Sequence, residues 1–142
     1  MRIREIVDTP EKGQKRYRLY RDLINRYKLA IDQGFYLEAI ALMESIITDR
    51  LESALIYYGV IKSSEAFKTM GSCLSKADSE GIITDAMCHD LKAWKDSRNH
   101  ALHEMAKIEE GDDSAFEQRI AEQRKIAEQG YELFKSLKKE LV

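Results

Sequence analysis

The chain has 142 residues, of which 44% are hydrophobic and 34% charged, with a net charge of −2. That balance excludes a chain disordered by composition, and the slightly acidic total excludes a protein that coats nucleic acid through bulk electrostatics. No apolar run approaches the roughly 20 residues of a membrane-spanning helix. One domain over residues 1–142 is expected, large enough for a single core, with residues 1–13 as a loose N-terminal segment. Met1-Arg2-Ile3-Arg4-Glu5 lacks the apolar stretch of a secretory signal, which predicts the cytoplasm. Cys73 and Cys88 fall in separate predicted helices and read as free, buried thiols of a reducing compartment.

Charge is unevenly spread. Residues 1–28 hold nine Lys/Arg against four acids, a local +5 that leaves −7 for the rest. Such a flank can attract phosphates, because steering depends on where charge lies; a solvated helix face explains it equally well.

Helical periodicity dominates the chain. Tyr17, Tyr20, Ile24, Tyr27 and Ile31 recur at three- and four-residue steps and predict a first helix from Gln14 to Gln33, stopped by Gly34. A second helix from Tyr36 to Tyr58 has the widest apolar face (Ala39, Leu42, Met43, Ile46, Ile47, Leu51, Ala54, Leu55), and Gly59 stands where a C-terminal cap belongs. Phe67, Met70 and Leu74 predict a third helix over 64–77, weakened by Gly71 and followed by a turn at Gly81. Thr84 is an N-cap for a fourth helix through Met87, Leu91, Trp94, Arg98, Leu102 and Met105. After the acidic loop Glu109-Glu110-Gly111-Asp112-Asp113, a capping box of Ser114 and Glu117 opens a last helix toward Leu141. With no alternating strand pattern, the fold expected is an all-α antiparallel bundle of four to five helices.

The chemistry concentrates in Asp96-Ser97-Arg98-Asn99-His100-Ala101-Leu102-His103-Glu104. The stripe of the fourth helix assigns Arg98 to the apolar face, where an uncompensated cation costs several kcal/mol. It therefore needs a carboxylate such as Glu38 or Glu44, an anionic ligand or a wet interface. His103 is the side chain best suited to move protons near neutral pH. On an ideal helix it lies about 140° around from Arg98, whereas Asn99 and His103 share a face. Convergence of Arg98 and His103 requires a bent helix, an arginine that curls round, or a two-fold mate.

Arg98-Asn99-x-x-x-His103 resembles the Arg-x(4 to 6)-His motif of the HEPN superfamily, including the polar residue directly after the arginine. The approach through a Gly81-Ile82-Ile83 turn and a helix bearing Leu91 and Trp94 is similar as well, over roughly residues 35–105. The resemblance implies a small helical bundle, a homodimer with paired motifs facing a cleft, and metal-independent endoribonuclease activity of toxin, defence or RNA-processing type. It assigns His103 as general base or acid, Arg98 as the group that stabilises phosphate charge, and Asn99 as an orienting residue, with no cofactor. An RNA substrate and an antitoxin or nucleotidyltransferase partner are implied too. The alternative is a non-catalytic module of the same fold that binds a partner protein or a nucleotide.

Competing chemistry is poorly supported by the spacing. His100, His103 and Glu104 lie within about one turn and could ligate a metal, but no second ligand cluster accompanies them, and the Glu-x-x-His repeat of di-iron bundles is absent. There is no phosphate-binding P-loop, dinucleotide fingerprint or nucleophile elbow. Tyr17, Tyr20, Tyr27, Tyr57 and Tyr58 could stack on bases, yet at helical spacing they read as core edge.

Overall fold

The computed structural model describes residues 10–65, 68–103, 105 and 115–141, with side chains from Gln14 onward. It is all-helical: α1 (Pro10–Gln33), α2 (Tyr36–Tyr57), a 3-10 turn (Ser63–Glu65), α3 (Met70–Ser79), α4 (Asp85–His103) and α5 (Phe116–Glu140), with no strand among the described residues. The helical bundle expected from periodicity is present. No described helix is long and apolar enough to cross a membrane.

α2 is the central wall. Its Ile40, Met43, Ile46, Ile47, Leu51 and Leu55 are fully buried, and it packs against α1, α3 and α5, while α4 lies against α5 and α3. Burial of each such side chain is worth about 1.5–3 kcal/mol, so this one helix organises the core. The stops are local. Gly34 (φ +80°) and Gly59 (φ +74°) adopt the left-handed conformation that ends α1 and α2, with Phe35 N–H reaching Ala30 O (2.8 Å) and Val60 N–H reaching Leu55 O (2.9 Å). Thr84 caps α4 as expected, its Oγ1 accepting from Met87 N (3.2 Å).

Three boundaries differ from the sequence reading. α1 begins at Pro10, earlier than Gln14, because a proline at the first turn forfeits no helical hydrogen bond. α3 begins at Met70 and not at Ser64, since Thr69 caps it by accepting from Ser72 N (3.2 Å), which moves Gly71 from the helix middle to its first turn. α4 ends at His103, two residues short of Met105, which lies in a turn. At α5 the N-cap is Ala115, whose N–H donates to the Gln118 side chain (2.8 Å). Ser114, the acidic loop 109–113, Phe67 and Glu104 lie outside the described residues. Cys73 and Cys88 are free and buried, as read from the sequence.

Candidate functional site

Arg98 is placed by the packing of α4 on α5. Trp94, one turn earlier, is buried, and its indole N–H donates to Ile126 O (2.8 Å). Gly130 makes this approach feasible, because a Cβ there would stand 2.7 Å from Trp94 Cζ2 and 3.0 Å from Met43 Cγ. With the indole fixed, the next turn of α4 is directed at α2.

There Arg98 meets its carboxylate. Its Nη1 is ion-paired with Glu44 Oε1, and the two side chains are 11% and 32% exposed. Of the two acids considered from sequence, Glu44 is the partner, while Glu38 is taken by Arg26 (2.7 Å). The other arm of the fork, Nη2, donates to Asn99 Oδ1 (2.7 Å), whereas the buried Nε has no hydrogen-bond partner among the described residues. Burial lowers the Arg98 pKa from its ordinary value. The guanidinium thus sits where apolar periodicity predicts a hydrophobe, satisfied on two arms and unsatisfied on the third.

The structure brings Arg98 and Asn99 together. Arg98 Nη2 donates to the neighbouring Asn99, which on an ideal helix shares a face with His103. His103 itself lies in the last turn of α4, exposed, with no hydrogen bond or ion pair to the described residues. It lies five positions after Arg98, roughly 7.5 Å along the axis. Within one copy, then, the pair does not close on a single point.

The end of α4 is anchored by residues that local spacing did not suggest. Arg119 Nη1 donates to Met105 O (2.7 Å), and the buried Gln123 amide contacts Met105 Sδ. Both lie one turn apart on α5, so this helix fixes the chain immediately after His103. Interior Gly130 was the one available sequence signal, since glycine in a helix weakens it unless close packing requires it.

A separate open cleft of about 820 Å³ lies between α1, α4 and α5, lined by Tyr27, Asp90, Trp94, Ser97, Lys125 and Tyr131 among others, and Arg98, Asn99 and His103 do not line it. Tyr27 stacks on Tyr131 (5.2 Å) and donates its hydroxyl to Ala127 O (3.0 Å), which makes these two tyrosines packing residues. Among the described residues no group of three or more His, Cys, Asp or Glu is arranged to hold a metal ion. On α1, Arg16, Arg21 and Arg26 face Asp49, Asp22 and Glu38 respectively, so part of the basic flank is neutralised locally.

The chain matches no family model, no curated protein and no solved structure.

Proposed function

We propose that this chain is a cytoplasmic, HEPN-like RNA-directed protein that cleaves single-stranded RNA without a metal, in a toxin, defence or RNA-processing setting. The observation that carries the reading is a cation seated on the apolar stripe of α4 and hydrogen-bonded to Asn99, the residue about one turn before exposed His103 on the same helix. Arginine suits a phosphate because its fork matches two oxygens at once and its charge is permanent. An imidazole can take the proton of a ribose 2′-hydroxyl as that oxygen attacks phosphorus, and an acid protonates the departing 5′-oxygen. Because one copy offers a single motif histidine, the proposal includes a homodimer in which His103 of the second copy supplies the other proton transfer.

A second reading is favoured by a specific contact. The closed Arg98 to Glu44 pair suits a non-catalytic module that binds a partner protein or nucleotide, since a committed phosphate clamp needs its fork free. Cleavage of single-stranded RNA in the presence of a chelator decides between them. The ribonuclease reading expects turnover that Arg98→Ala and His103→Ala each abolish with melting behaviour retained. No turnover by the parent protein selects the binding module.

A further inference from the structure

Glu44 occupies the position at Arg98 that an anionic ligand would take. Carboxylate and phosphodiester present the same pair of oxygens to a guanidinium, so one arginine fork accepts either. Arg98 is nearly buried, whereas Glu44 is a third exposed, so the anion side of the pair is the side open to solvent. Asn99 holds the second arm independently of Glu44, which means the guanidinium remains oriented when the carboxylate leaves.

We infer that Glu44 is a resident surrogate for phosphate, a latch that a phosphodiester displaces from Arg98 on binding. The inference rests on the reading of Arg98 as a phosphate ligand and assigns Glu44, on a different helix, as the residue that sets its affinity. Glu44 acts through Arg98, so it is a positioning residue. It differs from a merely structural salt bridge in the sign of its effect: loss of a structural contact weakens ligand binding, whereas loss of a competitor strengthens it.

The test is the affinity of the full-length chain for a 2′-O-methyl oligonucleotide, which cannot be cleaved through its 2′-oxygen. Glu44→Gln is expected to bind up to about fivefold tighter than the parent, as removal of a part-exposed competing charge implies. Glu44→Asp, whose shortened carboxylate withdraws from Nη1 with charge retained, is expected to fall between them, and carries the test if Glu44→Gln folds poorly. The gain should vanish in the Arg98→Ala background. Unchanged or weaker binding by the folded Glu44 variants overturns the latch, as does the absence of binding by any of them at millimolar probe. Cleavage of ordinary RNA is scored separately. Tighter binding without cleavage keeps the latch and removes the ribonuclease reading, while cleavage with flat affinities does the reverse.

Discussion

Trp94 rests directly on the backbone of Gly130. A Cβ at residue 130 would meet the indole at 2.7 and 2.9 Å, and the ring cannot retreat because its N–H is tied to Ile126 O. Gly130→Ala normally gains helix propensity, about 1 kcal/mol, but here the overpacking term of about 1–3 kcal/mol opposes and exceeds it. The expected net result is a lower melting temperature and a smaller unfolding free energy in urea. Because Trp94 precedes Arg98 by one turn, the same variant should also perturb the Arg98 to Glu44 pair, which backbone amide shifts at residues 44 and 98 would report.

The two halves of that pair should respond unequally to removal. Arg98→Met places an apolar side chain of similar length on the apolar stripe and leaves Glu44 able to turn to water, so the loss should stay within about 1 kcal/mol. Glu44→Ala leaves a nearly buried guanidinium without its counter-charge, and should cost more, about 1–3 kcal/mol. Denaturant titration of the two variants measures the difference, and equal losses would mean that the pair is effectively solvated.

Alkaline stability should fall in two overlapping steps. Burial, with Glu52 nearby, pushes the Cys73 thiol up to about 11, and burial, reinforced by Glu128, Tyr131 and Glu132, pushes the Tyr27 hydroxyl up to about 12. In each case the unfolded chain loses the proton first, so stability is complete below the unfolded pKa, near 9 for Cys73 and 10 for Tyr27, and is lost as pH rises through the folded value. Unfolding free energy against pH should therefore decline from about pH 9 to 12. Cys73→Ala should flatten the lower part of the decline and Tyr27→Phe the upper part.

The roughly 140° between Arg98 and His103 on one helix makes a two-fold mate the simplest source of a composite site. Sedimentation at micromolar concentration should then give about twice the 16.4 kDa chain mass. Because the His103 of each copy takes part, adding excess His103→Ala protein to the parent should lower its activity through mixed dimers that hold a single imidazole. A monomer, or parent activity unaffected by the added variant, would require the chemistry to be completed within one copy.

What the sequence made legible was local. Gly34, Gly59 and Thr84 end or begin helices through their own backbone or side chain, and Arg98 stood out because a cation broke an apolar stripe. Spacing alone does not locate the start of α3, because helical periodicity continues upstream through Phe67 while the cap that starts the helix is Thr69. Spacing also overshoots the end of α4, because Met105 keeps helical spacing although its carbonyl is held by Arg119 from α5. Periodicity could narrow the partner of Arg98 to Glu38 or Glu44 but could not choose. That choice depends on the register of α4 on α2, set by Trp94 against Gly130 and by Arg26 claiming Glu38.

The chemistry of the cut end distinguishes attack by a ribose 2′-oxygen from hydrolysis by a metal-bound water. Single-stranded RNA incubated with the protein and excess chelator should yield fragments ending in a 2′,3′-cyclic phosphate, because attack by the neighbouring 2′-oxygen closes that ring before water opens it. His103→Ala and Arg98→Ala proteins, folded as judged by circular dichroism, should yield none. Fragments ending in a free 3′-hydroxyl, cleavage that disappears with the chelator, or cleavage that survives both substitutions would contradict the assignment of Arg98 and His103 as the reacting pair.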